Sequence, residues 1–127
     1  MSKTCHSILV VEDDPNIRES IKEVLEFEGY SVITAENGKN AIEILSKIEN
    51  PCLILLDLMM PVMNGWEFLE HRKADHILLT IPVAIVSAAE NKNIKTAEKV
   101  EAVIKKPIDL DLLLKWVKNY CAPSSVA

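Results

Sequence analysis

Five short apolar runs alternate with segments of helical periodicity along the chain. The runs cover 8–11, 30–34, 52–56, 82–86 and 102–104. The helical patterns cover 15–28, a stretch with apolar positions from 41 to 48, 65–73, 92–99 and a last helix after 109. The runs lack the polar alternation of a strand with one wet face. We therefore predict a parallel sheet covered by helices on both faces, a doubly wound α/β fold.

Helix boundaries are marked by capping residues and breakers. Asp14 is an N-cap candidate, and Pro15 follows in the first turn, where its missing N–H costs nothing. Gly29 is placed to end that helix, since glycine adopts the left-handed conformation at a helix C-terminus. Asn50 and Pro51 break the second helix before the most apolar strand.

Length, composition and charge narrow the class of protein. The 127 residues are 49% hydrophobic with a net charge of −5, which indicates a single domain and argues against nonspecific binding to nucleic acid. The apolar runs are much shorter than the roughly 20 residues that span a bilayer. We expect a cytoplasmic protein with one domain over 1–122 and a short flexible tail over 123–127. Three distant cysteines form no disulfide scaffold, and Cys52 is interpreted as a small buried apolar residue.

Chemically active side chains follow the predicted strands where they end. Glu12, Asp13 and Asp14 follow the first strand, Asp57 the third, Ser87 the fourth, and Lys105 with Lys106 the fifth. Ligands of doubly wound folds bind beyond these strand ends. Clustered carboxylates need a cation, and Mg²⁺ prefers oxygen ligands. An aspartate can be a nucleophile toward phosphorus, with a lysine and a hydroxyl on the phosphoryl oxygens. These residue types favour phosphoryl transfer to Asp57.

Four segments together resemble the response-regulator receiver family. They are the stretch 8–14, the Asp-x-x-Met-Pro-x-Met-Asn-Gly motif within 55–65, the Val-Ser-Ala of 86–88, and Lys106-Pro107. The resemblance covers about 7–120, and the Asp-x-x-Met-Pro motif is its most specific part. It implies a flavodoxin-like five-stranded sheet of order 2-1-3-4-5. It also implies a signalling switch rather than an enzyme, with at most slow self-dephosphorylation.

The resemblance assigns a Mg²⁺ site to four positions. Asp57 would be both the phosphorylated residue and a metal ligand. Asp13 would bind the ion directly, Glu12 would assist through water, and the backbone carbonyl of Met59 would be a further ligand. Asp14 would remain a helix cap.

The resemblance also assigns the phosphoryl contacts and the partners. The Ser87 hydroxyl would bond a phosphoryl oxygen, and Lys106 would pair with Asp57 and then with the phosphate. The bond from Lys106 to Pro107 would be cis. The donor would be a sensor histidine kinase or a histidine phosphotransfer protein, and a downstream protein target would bind the switched surface. Neither nucleic acid nor membrane insertion is expected, and the chain would be a monomer or a weak dimer.

Two features depart from the family pattern. Val103 occupies the position of the aromatic switch residue, so a Tyr or Phe rotamer change cannot operate there. The segment from Ser87 to Lys106 is a few residues short, which predicts a short fourth helix. Both changes affect signal output rather than phosphoryl acceptance.

Three other functions compete with the switch as explanations of these residues. A phosphatase of the haloacid-dehalogenase type needs a second acid two residues after its nucleophile, where this chain has Met59 or Pro15. A flavin or nucleotide module needs a glycine-rich or hydroxyl-rich first loop, and the acidic loop here would repel phosphate. A phosphorylation-independent receiver-like interaction module stays open as the alternative.

Overall fold

The computed structural model describes residues 7–60, 62–87, 102–106 and 108–121. Its strands form one parallel sheet of order β2-β1-β3-β4-β5, the order that the resemblance implied. The strands are β1 (Ser7–Val11), β2 (Ser31–Ala35), β3 (Leu53–Asp57), β4 (Val83–Ser87) and β5 (Ala102–Lys105). The fold class is therefore confirmed.

Helices cover both faces of this sheet. They are α1 (Pro15–Phe27), α2 (Gly38–Leu45), α3 (Gly65–Lys73), α4 (His76–Leu79) and α5 (Leu110–Tyr120). The short α4 was not predicted, and it begins where the Asp75 side chain accepts hydrogen bonds from the backbone N–H of Ile77 and Leu78. The helix predicted over 92–99, the Lys106–Pro107 bond and the tail over 123–127 lie outside the described residues. No described helix has the length and apolar character needed to cross a bilayer.

Alternate residues of the central strands belong to two separate cores. Leu9 and Leu56 pack into one core together with Phe68 of α3. Ile8 and Leu55, their immediate neighbours, belong to the opposite core. This division explains why β1 and β3 are continuously apolar, since both sides of each strand are buried.

The parallel register brings the strand ends to one edge of the sheet. Val11 pairs with Leu56, so Glu12 and Asp57 follow neighbouring positions. Asp57 in turn pairs with Val86, the residue before Ser87. The acids after β1 and β3 are therefore adjacent as a direct result of strand register.

Gly65 lets α3 begin against the end of β3. Its N–H donates to the carbonyl oxygen of Leu58 at 3.0 Å. A Cβ atom at this position would lie 2.6 Å from the carbonyl oxygen of Asp57 and 2.7 Å from the Cα of Leu58. Both are backbone atoms, so only glycine permits this approach.

Val62, in the loop between β3 and α3, has a backbone φ of 68°. A β-branched residue is strained in this left-handed region by about 1–2 kcal/mol. Its side chain is 75% exposed, so little burial is lost on truncation. We expect Val62→Gly to raise the free energy of unfolding by about 0.5–1 kcal/mol, since glycine's greater unfolded-state entropy offsets part of the relief. Urea denaturation measures the change.

Val62→Ala is the matched control for this strain. Alanine keeps the Cβ atom that disfavours positive φ, so most of the strain should persist. Equal stabilisation by alanine and glycine would contradict the strain explanation.

Cys52 and Cys121 form a disulfide, so the interpretation of Cys52 as a simple apolar residue was wrong. Their Cα atoms lie 5.7 Å apart, and the two residues are separated by 69 positions in sequence. Cys52 precedes β3 and Cys121 follows α5, so the bond joins the amino end of the sheet to the end of the last helix. Near it, the Tyr30 hydroxyl donates to the carbonyl oxygen of Cys121 at 3.2 Å.

Candidate functional site

The three carboxylates in the acidic loop after β1 have two different roles. Asp14 is the N-cap of α1, and its Oδ1 accepts from the N–H of Asn16 at 2.8 Å and of Ile17 at 3.4 Å. This confirms the capping role predicted for Asp14. Its own N–H donates to Oε2 of Glu12 at 3.1 Å. Glu12 is buried and Asp13 is more exposed, which leaves these two as the candidate ligands of the loop.

Asp57 ends β3 with its carboxyl group nearly enclosed. The residue is 3% exposed, and its Oδ1 accepts a hydrogen bond from the N–H of Met59 at 3.3 Å. That bond orients the carboxyl group and leaves Oδ2 directed toward Lys106. The Met59 side chain is 60% exposed beside it.

Lys106 contacts two of the acids. Its Nζ lies 3.1 Å from Oε1 of Glu12 and 3.5 Å from Oδ2 of Asp57. Because Lys106 directly follows β5, its ammonium group crosses the strand ends to reach acids on β1 and β3. The structure thus brings Glu12, Asp57 and Lys106 together.

The oxygens of three carboxylates come close enough to share one cation. Glu12, Asp13 and Asp57 each offer an oxygen, and these oxygens lie within 4.8 Å of one another. Only one ammonium group, that of Lys106, contacts this cluster within the described residues. A small group of oxygen donors with excess negative charge fits Mg²⁺, which binds through one or two carboxylates and retains several waters.

The pKa values of the cluster reflect burial of charge. Burial raises the pKa of Glu12 from its usual 4.5 to about 7; the N–H of Asp14 opposes this rise and the charge of Asp57 adds to it. Burial also raises the pKa of Asp57, and Lys106 partly offsets that rise. Burial alone would lower the pKa of Lys106, but its contacts with Glu12 and Asp57 outweigh burial and raise it above 10.5.

A pH dependence of stability follows from Glu12. The Glu12 carboxyl group binds a proton more tightly in the folded protein than in the unfolded chain. Its contribution to stability is therefore complete below about pH 4.5 and is lost as the pH rises through about 7. Without divalent cations, we expect Glu12→Gln to be more stable than wild type at pH 8, because the glutamine side chain carries no charge that must be buried. The difference should shrink at pH 5.

Chemical denaturation of both proteins in EDTA at the two pH values measures this difference. The difference between variant and wild type cancels the ionisable groups that do not interact with Glu12, while Asp57 and Lys106 contribute to it through their contacts with Glu12. A Glu12→Gln protein that is less stable than wild type at pH 8 would show that burial of the Glu12 charge does not dominate.

The remaining predicted site residues are placed only in part. Ser87 ends β4 and pairs with Lys105, but its side chain lies outside the described part of the structure. The side chain of Val103 lies outside it as well. The roles of Ser87 and of the Met59 carbonyl stay predictions.

Arg18 is a residue of the site that the sequence reasoning missed. Its Nη1 donates to the carbonyl oxygen of Glu12 at 2.8 Å and lies 3.5 Å from that of Asp13. The available signal was an arginine directly after Ile17, one helical turn past the acidic loop. A contact to backbone carbonyls leaves no further trace in sequence.

Comparisons with known proteins agree on one family. Residues 8–118 match the family model described as response regulator receiver domain. The chain is 40% identical over 115 residues to the transcriptional regulatory protein CrdR of Helicobacter pylori, covering 89% of this chain and 54% of CrdR. It is 38% identical over 116 residues to sporulation initiation phosphotransferase F of Bacillus subtilis, covering 89% and 91%. The chain therefore spans about half of CrdR and most of the second relative.

One solved structure is similar in both fold and sequence. The phosphorylated cyanobacterial phytochrome response regulator RcpA matches with a TM-score of 0.77 at 31% identity. The match covers 91% of each chain.

Proposed function

We propose that this chain, which belongs to the response regulator receiver domain family, accepts a phosphoryl group on Asp57 from a phosphohistidine. The observation that carries the proposal is the enclosed Asp57 carboxyl group, 3.5 Å from the Lys106 ammonium and beside two further acids. The donor would be a histidine kinase or a histidine phosphotransfer protein. RcpA, which is recorded in phosphorylated form, supports phosphorylation as a state of this fold.

In the transfer step, a carboxylate oxygen of Asp57 bonds to phosphorus as the P–N bond of the donor breaks. The electron pair of that bond stays on the imidazole nitrogen. Oδ1 already accepts the N–H of Met59, so Oδ2 is the oxygen placed for attack. Lys106 then exchanges its contact with Oδ2 for a phosphoryl oxygen, and Ser87 donates its hydroxyl to another.

Four positions of this chain would hold the Mg²⁺ that the donor set fits. Asp13 and Asp57 would bind it through carboxylate oxygens, Glu12 would bind it through water, and Met59 would offer its backbone carbonyl. Bound there, the ion supplies positive charge that offsets the clustered acids and the phosphoryl oxygens.

An apolar groove beside Lys106 supports docking of the donor along α1. Its lining includes Ile17 and Ile21 of α1, Ile108, Leu110 and Lys106. The groove has a volume of about 290 Å³. A helix of the donor protein that lies here would bring its histidine toward Asp57.

Phosphorylation would change the charge that the strand ends must balance. The acyl phosphate adds negative charge next to Glu12 and Asp13, and it draws Lys106 and Ser87 toward the phosphoryl group. The shift favours a second arrangement of the neighbouring surface, which a downstream protein target binds. The exposed, apolar Met59 offers no group to orient a water, so the phosphorylated state should decay slowly.

The test is incubation with Mg²⁺ and acetyl phosphate, followed by intact mass measurement. Wild type should gain the mass of one phosphoryl group, and EDTA should prevent the gain. Asp57→Asn keeps the shape of the side chain but removes the nucleophile, so its mass should not change.

Asp14→Asn is the matched control in the same acidic region. Asparagine is as good an N-cap as aspartate, so this variant should fold and accept the phosphoryl group like wild type. A mass gain in Asp57→Asn would show that a residue other than Asp57 accepts the phosphoryl group. An unmodified, folded wild-type protein would favour the phosphorylation-independent interaction module instead.

A further inference from the structure

Arg18 reaches back from α1 over the loop that carries the metal-binding acids. It lies within the first turns of α1 and is partly buried. One nitrogen, Nη1, donates to the Glu12 carbonyl at 2.8 Å and lies 3.5 Å from the Asp13 carbonyl. Both contacts are to backbone oxygens, so the guanidinium group holds the peptide units rather than the carboxylates.

This arrangement differs from that of Lys106, which contacts carboxylate oxygens of Glu12 and Asp57. Within the described residues, no carboxylate lies at ion-pair distance from Arg18. The carboxylate oxygens of the loop are therefore not occupied by Arg18 and can bind a cation. A second lysine-like contact to those oxygens would instead compete with the metal.

Asp13 depends on this contact more than its neighbours do. Glu12 is also held by its own N–H, which donates to the Ala35 carbonyl at 3.0 Å, and Asp14 is held by its cap. The Asp13 carboxylate has no hydrogen bond within the described part of the chain. Its direction is set by the backbone alone, and Arg18 is the side chain that contacts that backbone.

We infer that Arg18 is a positioning residue, which orients the Glu12–Asp13 backbone so that the Asp13 carboxylate points at the shared cation. The inference rests on the proposed Mg²⁺ site. Arginine suits the task because its planar group holds the N–H bonds of Nη1 in fixed directions. Lysine can still donate, but its ammonium group rotates at the end of a flexible chain.

The experiment is calorimetric titration of the metal-free proteins with Mg²⁺ at a temperature where each is folded. Arg18→Ala should bind Mg²⁺ about tenfold more weakly, the loss usual for removing a group that orients a ligand. Arg18→Lys should recover part of the affinity. Phosphorylation of Arg18→Ala by acetyl phosphate should be slow at limiting Mg²⁺ and should return toward wild type at saturating Mg²⁺.

Lys22→Ala is the matched control for lost charge. Lys22 is one turn farther along α1 and pairs with Glu26 at 3.4 Å, so its removal deletes the same charge without touching the loop. If charge alone mattered, removal of either cation would strengthen Mg²⁺ binding. Weaker binding in Arg18→Ala but not in Lys22→Ala therefore identifies positioning.

The possible failures are distinct. Arg18→Ala that binds Mg²⁺ as tightly as wild type, or more tightly, overturns the inference and leaves the proposed function intact. A lower unfolding temperature with unchanged Mg²⁺ affinity assigns Arg18 a purely structural role and also overturns it. Wild type that binds no Mg²⁺ overturns the metal site itself, and with it both proposals.

Discussion

Gly65→Ala is expected to destabilise the fold and impair phosphoryl acceptance together. The added Cβ would lie 2.6 Å from the Asp57 carbonyl oxygen and 2.7 Å from the Leu58 Cα. Neither atom can rotate away, so α3 must shift or the backbone of Asp57 must move. Overpacking of this kind costs about 3 kcal/mol. Urea denaturation measures the stability loss, and intact mass after acetyl phosphate treatment measures acceptance.

Gly38→Ala is the matched comparison, since Gly38 also begins a helix. A Cβ there meets the flexible Cγ of Met63 at 2.8 Å and the Met63 carbonyl oxygen at 2.9 Å, and neither belongs to Asp57. We expect a smaller loss of stability and normal phosphoryl acceptance. If Gly65→Ala were as stable and as readily phosphorylated as wild type, the contact with β3 would not set the site geometry.

Reduction of the Cys52–Cys121 disulfide is the second change with a large expected effect. The bond closes a loop across 69 positions, and loops of this length lose about 4 kcal/mol of unfolded-state entropy when crosslinked. We expect the oxidised protein to unfold at a higher urea concentration than the reduced protein by that free energy. Denaturation with and without a phosphine reductant measures the difference.

Two substitutions separate the disulfide from other effects of reduction. Cys52→Ala should match reduced wild type and should no longer respond to the reductant. Cys5→Ala should retain the full response, because Cys5 is not part of the bond. Equal stability of the oxidised and reduced proteins would show that the crosslink adds nothing to the fold.

The sheet was predictable because burial on both faces leaves a direct mark on sequence. β3 has no polar residue before Asp57, and the alternate packing of Leu55 and Leu56 into opposite cores requires such a run. Once the strands were parallel, their carboxyl ends had to meet. The proximity of Asp57 to Glu12 and Lys106 followed from that topology without any knowledge of side-chain contacts.

Features that depend on contacts between distant or backbone atoms were not predictable in this way. Cys52 and Cys121 are far apart in sequence, and nothing in the spacing of three cysteines indicates which two meet. The four-residue α4 is too short to show periodicity and depends on the cap at Asp75. Arg18 binds carbonyl oxygens, which every residue has, so the identity of its partners is invisible in sequence.

The disulfide lies just before the first residue of β3, and Asp57, the proposed phosphoryl acceptor, is the last residue of the strand. The strand's five residues are held on both sides by β1 and β4, so the two chemistries lie at opposite ends of a stiff element. The redox potential of the buffer can therefore be used to vary the free energy of unfolding without any substitution at Asp57. Measuring phosphoryl acceptance at a series of redox potentials would show how far the free energy of unfolding can fall before Asp57 no longer accepts a phosphoryl group.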